Sequence, residues 1–112
     1  MLKKLKALLN QPRFLRHAMN WYMPYRGAGV RIRHLAHDFS QTTVEMKLRW
    51  YNKNYVGTHF GGSLYSMVDP FHMLLIMNQL GKEYVVWDKS ANMEFIRPGT
   101  GTVTAQFSIT PE

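Results

Sequence analysis

The stretch from Asn54 to Gly81, NYVGTHFGGSLYSMVDPFHMLLIMNQLG, decides how the rest of the chain is organised. It begins as a glycine-rich loop and continues as a long apolar segment that ends at Gly81, a residue type that commonly terminates helices. Apolar side chains recur there at helical spacing and also occupy much of the remaining surface: Leu64, Tyr65, Met67, Val68, Phe71, Met73, Leu74, Leu75, Ile76, Met77 and Leu80. A helix of this kind must be buried on several sides. We therefore predict one central helix over residues 63–80.

Asp69 is the one carboxylate in this predicted helix, and Pro70 follows it directly. An ionised carboxylate in apolar surroundings is costly unless it meets donors or lies in a cleft. Asp69 is seven residues beyond Gly62, too far along to cap the first turn, whereas Pro70 removes a backbone donor and disturbs the helix locally. From the residues alone, a structural role and a functional role for this carboxylate both remain open.

Composition indicates one small globular domain. The chain has 112 residues, of which 46% are hydrophobic and 13% aromatic, enough for a single core. It contains no cysteine, which excludes disulfides, thiolate zinc sites and cysteine nucleophiles and fits a cytoplasmic location. The basic start of the chain has an apolar run too short for a secretory signal. Asp69, Pro70 and His72 argue against a membrane span in the apolar helix.

Positive charge is concentrated in the first half of the chain. Residues 1–53 carry a formal charge of +9 and residues 54–112 a charge of −2, for a net charge of +7. A basic half can attract nucleic acid, anionic lipid or a phosphate-bearing ligand such as coenzyme A, and it can also serve only as a solvated surface. Nucleic-acid binding ranks last, because the basic residues are not interleaved with aromatic ones in a convincing pattern.

The remaining elements follow from periodicity. An amphipathic helix interrupted at Pro12 is predicted at 2–22, and strands are predicted at 30–37, 43–51, 84–96 and 102–110. The second strand alternates most clearly, with Val44, Met46, Leu48 and Trp50 facing inward. Alternation of this kind is typical of an antiparallel sheet with one wet face. We predict an α+β domain over 1–112, with an N-terminal helix and loop at 1–29 and, at 30–112, a curved antiparallel sheet around the central helix.

The last predicted strand reaches the end of the chain without a partner beyond it. This open edge predicts either that further strands are missing from the sequence or that another subunit covers the edge.

Two motifs carry a resemblance to a known family. The first is Asn54-x-x-Gly57-Thr58-x-x-Gly61-Gly62-x-Leu64-x-Ser66-x-x-Asp69, and the second is Phe95-Ile-Arg-Pro-Gly99 followed by Gly101-Thr-Val-Thr-Ala105. Together they resemble the hotdog-fold acyl-CoA thioesterases, especially the phenylacetyl-CoA thioesterase branch. The resemblance covers roughly residues 54–105. It implies a hotdog fold, with further strands after the position where this chain ends.

The resemblance also implies a site and an assembly. In that branch the Asn, the paired glycines and the helix Asp form an active site shared between two subunits. The branch usually has His immediately before the glycines. Here that position is Phe60, with His59 one residue earlier, a form that resembles a related hotdog family of unsettled function.

Thioester hydrolysis requires a polarised carbonyl and an activated water or nucleophile. Gly61 and Gly62 at the helix start offer unpaired N–H groups at the positive end of the helix dipole, with Gly62 the best oxyanion donor. Asp69 is the candidate general base or nucleophile, and Asn54 the candidate for orienting water or the carbonyl. Seven helical residues span about 10.5 Å, so one helix cannot present Gly62 and Asp69 to the same carbonyl. Two copies are therefore predicted to pair, as a dimer or a dimer of dimers.

Three further residues are candidate substrate contacts: His59, Ser63 and Arg97. Each has a simpler interpretation, as a loop histidine, a first-turn hydroxyl and a solvated charge. No metal site is predicted, since His34 and His37 lie on nearly opposite strand faces. No cofactor is predicted either, because coenzyme A would enter as part of the substrate.

Two other functions remain open on the same scaffold. The absence of His at position 60 favours a non-catalytic acyl-CoA-binding or interaction module. The pair of His59 and Asp69 would also suit proton transfer in a hydratase or dehydratase.

Overall fold

The computed structural model describes residues 2–4 and 11–109. Within residues 11–109 the elements are α1 (Pro12–Trp21), α2 (Met23–Ala28), β1 (Val30–Leu35), β2 (Gln41–Lys47), α3 (Gly61–Val68), α4 (Phe71–Leu80) and β3 (Thr102–Ser108). Residues 2–4 are also helical. Helix α1 lies within the predicted N-terminal helix at 2–22, which as a whole stays a prediction. The leucines of that predicted helix at positions 5, 8 and 9, and the end of the last predicted strand, lie outside the described residues.

The three strands form one antiparallel sheet in the order β1-β2-β3. β2 pairs with β3 without interruption, from Gln41 opposite Ser108 to Lys47 opposite Thr102. The pairing of β1 with β2 shifts register between Ile32 and His34, which marks a bulge. The predicted antiparallel α+β class is confirmed. That residues 1–112 form one hotdog domain stays a prediction.

The core lies between one face of this sheet and the two later helices. Ile32, Val44 and Met46 project from the sheet and are fully buried, as are Phe71 and Leu75 from α4. Each such side chain contributes about 1.5–3 kcal/mol relative to an exposed position. The alternation predicted for the second strand therefore identifies its buried face correctly at Val44 and Met46.

Helix α1 covers the outer edge of β1. The Asn20 side chain accepts a hydrogen bond from the Ile32 N–H at 2.7 Å and donates one to the Ile32 carbonyl at 3.2 Å. An amide side chain thus replaces the strand that would otherwise pair with this edge, and protects it from association with other chains.

The predicted central helix is two helices, because the hydrogen-bond ladder breaks at Asp69 and Pro70. The Asp69 N–H still donates to the Tyr65 carbonyl at 2.8 Å, but Pro70 has no N–H to donate to the Ser66 carbonyl. The ladder resumes with the Leu74 N–H bonded to the Pro70 carbonyl at 2.9 Å. The predicted central helix over 63–80 is therefore a helical stretch broken at Pro70, where the sequence predicts a local disturbance, and only its predicted start was wrong, since it begins earlier, at Gly61.

The prediction that this segment is buried on several sides was also wrong for a single chain. Phe71, Leu74 and Leu75 are buried, whereas Ile76, Met77 and Leu80 are 37%, 40% and 47% exposed. The sheet covers one face of α4, and nothing in residues 11–109 covers the opposite one. The outer face of α4 is therefore an exposed apolar surface.

β2 ends earlier than its alternation predicts. Trp50, predicted to face inward, is 83% exposed, and the strand stops at Lys47. The chain turns there because the Asn52 side chain donates to the Lys47 carbonyl at 2.8 Å and accepts from the Arg49 N–H at 2.6 Å. These side-chain bonds take the place of continued strand pairing.

The strand predicted at 84–96 does not form. Residues 82–100 contain no helix or strand and most of their side chains are exposed. A segment with strand propensity needs a pairing partner to form a strand. β3 pairs with β2 along one edge, and no described residue pairs with the other edge of β3. The final strand is confirmed over Thr102–Ser108, and Phe107 in it is buried. In the described part of the chain, no helix has the length and apolar character needed to cross a membrane.

Candidate active site

The N-terminus of α3 presents backbone donors that the helix itself does not use. Phe60 precedes the helix in an extended conformation, and no side chain caps this end. The first intrahelical bond is from the Leu64 N–H to the Phe60 carbonyl, at 3.1 Å. The N–H groups of Gly61, Gly62 and Ser63 therefore have no acceptor within the helix, and they lie at the positive end of its dipole.

Both glycines at this helix start are packed against aromatic rings. A Cβ at Gly62 would lie 2.6 Å from Cε1 of Phe60, and a Cβ at Gly61 would lie 3.4 Å from the ring of Phe95. The missing side chains thus let two rings approach the backbone closely. Phe60 itself is 56% exposed, and its ring lies beside Gly62.

A surface cleft of about 410 Å³ lies beside the helix start. It is lined by Gly27, Ala28, Tyr51, Asn52, Lys53, Phe60, Gly62, Ser63 and Ser66. Ser63 is 5% exposed, and the Ser66 hydroxyl donates to the Gly62 carbonyl at 2.9 Å. Of the residues predicted from the sequence as site residues, Gly62 and Ser63 line this cleft. The others do not line it: Asn54, His59, Gly61, Asp69 and Arg97.

Asp69 lies at the other end of the same helix. It caps the C-terminus of α3, its side chain is exposed, and it forms no salt bridge with any described residue. Gly62 and Asp69 therefore occupy opposite ends of α3, as the spacing of seven residues predicts.

The Asp69 carboxylate contributes to the raised pKa of a buried tyrosine, Tyr25. The pKa of Tyr25 is raised to about 12, first by burial of the phenol and then by the negative charges of Asp69 and Tyr22. The Tyr25 ring packs edge-to-face on Tyr22 and lies 6.0 Å from the ring of Phe71. Asp69 thus lies near an aromatic cluster at the break between α3 and α4.

Asn54 organises its own loop. Its Oδ1 accepts hydrogen bonds from the N–H groups of Val56 and Thr58, both at 3.0 Å. Its Nδ2 donates to the Thr58 hydroxyl at 2.8 Å and to the His59 carbonyl at 3.4 Å. All the polar atoms of this side chain are therefore used to shape the loop that leads into α3.

His59 joins this loop to the turn before β3. Its backbone N–H donates to the Gly99 carbonyl at 3.0 Å, and its ring Nε2 lies 2.6 Å from the Gly101 carbonyl. Because a carbonyl only accepts, Nε2 carries the proton. The other ring nitrogen, Nδ1, is buried without a hydrogen-bond partner among the described residues. The imidazole therefore contacts the turn at Gly99–Gly101, and Arg97 in the preceding segment is exposed.

Two residues that shape the cleft were missed by sequence reasoning. Asn52 is 3% exposed, and its Nδ2 also donates to the Ala28 carbonyl, which holds the end of α2 beside the cleft. Tyr51 forms another wall. The sequence gives no signal for Asn52, because its partner Ala28 lies 24 positions away. No group of three or more His, Asp or Glu side chains in the described ranges is arranged to hold a metal ion.

Comparison with solved structures identifies similar folds. A protein of unknown function from Pseudomonas aeruginosa, described as a "Probable Thioesterase", matches with a TM-score of 0.70 and 17% identity over 88% of this chain and 65% of that one. The PaaI protein from the phenylacetic acid degradation operon of E. coli matches with a TM-score of 0.60 and 24% identity over 80% of this chain and 64% of that one. Thioesterase superfamily member 2 from Mus musculus matches with a TM-score of 0.63 and 20% identity over 90% of this chain and 74% of that one.

At these identities the likeness establishes the fold. The predicted resemblance to the hotdog-fold thioesterases is confirmed, and the three-stranded antiparallel sheet with its long helical segment is consistent with that fold. The chain spans 65% of the length of the Pseudomonas protein and 64% of that of E. coli PaaI.

A comparison with curated proteins finds no significant match. The family described as "Domain of unknown function (DUF4442)" matches residues 11–112, and the chain belongs to this family.

Proposed function

We propose that this protein hydrolyses acyl thioesters, such as acyl-CoA, in a site that two copies of the chain share. The observation that carries the proposal is the arrangement of α3. Its uncapped N-terminus borders a cleft through Gly62, and its C-terminus carries the exposed Asp69. A second copy placed with its α3 antiparallel to the first would bring each Asp69 opposite the partner's Gly61 and Gly62.

The chemistry requires one water molecule and no other reactant. Asp69 of one subunit accepts a proton from water as the water oxygen attacks the thioester carbonyl. The amides at Gly61, Gly62 and Ser63 of the other subunit donate to the developing oxyanion, which gains from donors already in place. Collapse of the tetrahedral intermediate breaks the carbon–sulfur bond, and the proton held by Asp69 passes to the departing sulfur. The products are a carboxylic acid and a free thiol.

Exposed apolar residues support self-association. Besides the outer face of α4, the segment after it exposes Tyr84, Val85, Trp87, Phe95 and Ile96 by 57–89%. A concentration of apolar surface on this scale marks a protein–protein interface. A second copy that covered α4 and paired with residues 84–96 would supply both the burial and the strand partner that one chain lacks.

The names of two structural neighbours point to the same chemistry. One is described as a probable thioesterase and the other as a thioesterase superfamily member. The identities are only 17% and 20%. These names therefore motivate the choice of substrate class, whereas the proposed mechanism is argued from the site geometry.

The test is release of free thiol from a panel of short, aromatic and long acyl-CoA substrates. We expect Asp69→Asn to lower kcat by about 10²–10⁴, the usual contribution of a general base. Asp88→Asn removes another exposed carboxylate and serves as the matched control. Unchanged turnover in a folded Asp69→Asn protein would exclude Asp69 as the catalytic group.

Mixed dimers test the sharing of the site. Asp69→Asn and Gly62→Pro each inactivate every site in a dimer of identical chains. A dimer of one chain of each type contains one site with both defects and one with neither. Co-purified mixed dimers should therefore recover roughly half of the wild-type activity per dimer, the fraction set by two-fold symmetry. Complete inactivity of well-folded mixed dimers would contradict a shared site.

A second function has one observation in its favour. The Phe60 ring lies against Gly62, with Cε1 2.6 Å from the position of an added Cβ. A protein that binds acyl-CoA without hydrolysing it would use the same cleft with the oxyanion donor covered. Saturable acyl-CoA binding with no thiol release in either the wild type or Phe60→Ala would establish this function instead.

A further inference from the structure

A second pocket, separate from the cleft at Gly62, lies between α1, the end of α2 and the sheet. Its volume is about 320 Å³, at the lower end of the range for small-molecule sites of about 300–1,000 Å³. Four basic side chains line it: Arg26 from α2, Arg31 from β1, Lys47 from β2 and Arg49 from the following turn. Four separate elements thus direct positive charge toward one cavity.

This positive charge is not neutralised within the described residues. The one acidic residue in the lining is Glu45, whose carboxylate is already paired with Arg33 at 3.1 Å. Arg31, Lys47 and Arg49 form no salt bridge with any described residue. Like charges held together repel, and a bound anion relieves that repulsion. Guanidinium groups suit phosphate oxygens in particular, since each can donate two parallel hydrogen bonds.

The pocket also offers aromatic surface. The Trp21 indole lines it and is 69% exposed, and the guanidinium carbon of Arg26 lies 4.1 Å from the centre of that ring. An exposed indole beside a guanidinium is a suitable platform for stacking a nucleobase. The combination of phosphate-binding groups and a stacking surface favours a nucleotide over a simple inorganic anion.

Tyr51 connects this pocket to the cleft at the start of α3. Tyr51 lines both cavities, and the end of α2 with Gly29 borders both, with Gly27 and Ala28 on the cleft side. A ligand could therefore extend from one cavity to the other past Tyr51. An acyl thioester carried on a nucleotide has this extended form, with its phosphates at one end and its carbonyl at the other.

We infer that the basic pocket binds the nucleoside diphosphate end of the thioester's carrier, while the thioester lies in the cleft beside Gly62. This inference rests on the proposed function for the position of the thioester. The pocket would then account for four of the eleven basic residues in the first half of the chain. Arg97, predicted from the sequence as a substrate contact, lies outside both cavities.

Binding is tested without any hydrolysis, by calorimetry with ADP, coenzyme A, pantetheine and inorganic pyrophosphate. We expect ADP and coenzyme A to compete for one site, pantetheine to bind far more weakly, and pyrophosphate to bind more weakly than ADP. The variant Arg31→Gln/Arg49→Gln should weaken ADP binding roughly 10- to 100-fold, the loss expected from hydrogen bonds between charged groups. Arg13→Gln/Lys82→Gln removes the same charge from exposed positions outside the pocket and should change ADP affinity less than about threefold at moderate salt.

The inference would be overturned if the pocket and control variants weakened ADP binding equally or if the pocket variant bound ADP as tightly as the wild type. It would also be overturned if ADP did not displace bound coenzyme A. If pyrophosphate bound as tightly as ADP, the pocket would be a site for a simple anion, and recognition of the nucleoside would be refuted.

Kinetics separates this inference from the proposed function. In the pocket variant KM should rise for acyl-CoA with kcat unchanged, while hydrolysis of the corresponding acyl-pantetheine, which lacks the nucleotide, should not change. Equal effects on both substrates would refute a nucleotide contact. Absence of thiol release from both substrates in the wild type would refute the proposed function. The ADP and coenzyme A measurements would still show whether the pocket binds the nucleotide.

Discussion

The aromatic ring of Phe60 lies over Gly62, with Cε1 2.6 Å from the position that a Cβ at residue 62 would occupy. The ring therefore stands beside an N–H group that has no acceptor within α3. A substitution at Gly62 can therefore act in two separable ways. It can fill the space that the Phe60 ring occupies, or it can remove the backbone donor.

The first prediction separates the donor from the space. Gly62→Ala adds a Cβ but keeps the N–H, and the exposed Phe60 ring can move aside. Gly62→Pro removes the N–H at a position within the first turn, where proline is tolerated. We expect Gly62→Pro to lower kcat for thiol release about 10²–10³-fold, as loss of an oxyanion donor does, and Gly62→Ala to lower it much less.

Circular dichroism provides the control for these variants, since both should keep the wild-type helix content. An Ala variant as inactive as the Pro variant would show that space, and not the donor, matters at position 62.

The second prediction concerns Asn52 and Gly29. Asn52→Ala leaves the Ala28 and Lys47 carbonyls and the Arg49 N–H without their partner, and should lower the free energy of unfolding by about 1–3 kcal/mol. The exposed Asn92→Ala is the matched control. Gly29 has φ 83°, and a Cβ there would collide with the Asn52 amide. Denaturant unfolding measures each free energy.

A double-mutant cycle tests this contact. Gly29→Ala should cost more in the wild type than in the Asn52→Ala background, where only the backbone cost of about 1–2 kcal/mol remains. If the two substitutions changed the free energy of unfolding by strictly additive amounts, the collision between a Cβ at position 29 and the Asn52 amide would be contradicted.

The third prediction concerns the role of His59. Its Nε2 donates to the Gly101 carbonyl, so His59→Ala should destabilise the fold by about 1–3 kcal/mol while kcat of the folded protein stays within about threefold of wild type. Thermal unfolding and the pH profile of thiol release are the measurements. A hydratase or dehydratase that uses His59 for proton transfer would instead lose its activity and one inflection in the pH profile.

The fourth prediction follows from the raised pKa of Tyr25. The folded state retains the phenol proton up to about pH 12, whereas the unfolded chain releases it near 10.0. Between these values the folded state binds the extra proton, so the free energy of unfolding should fall as the pH rises. This contribution is complete below pH 10 and lost by about pH 12. Tyr25→Phe should remove that part of the slope.

Ultraviolet titration of phenolate reports the same group. Asp69→Asn should lower the pKa of Tyr25 but leave it above the ordinary value, because burial is the larger cause. Asp88→Asn should leave the Tyr25 titration unchanged. An unchanged titration in Asp69→Asn would mean that the Asp69 carboxylate does not lie close to the phenol in solution.

Local patterns explain what sequence reasoning predicted correctly. Alternation identifies the buried face of β2 at Val44 and Met46, and helical spacing identifies Phe71 and Leu75 as core residues. The spacing from Gly62 to Asp69 places them at opposite ends of α3, because the rise per residue of a helix does not depend on the rest of the fold. These features depend on neighbouring residues alone.

The tertiary structure decided the features whose partners are distant in the chain. Asn52 bonds to Ala28 across 24 positions, and His59 bonds to Gly101 across 42. The strand predicted at 84–96 does not form, because propensity alone cannot supply a hydrogen-bonding neighbour. The sequence by itself thus determined which faces are apolar and where the glycines, the carboxylate and the helix break lie. Only the folded chain determined which polar groups meet, since those contacts depend on loop paths that no local pattern encodes.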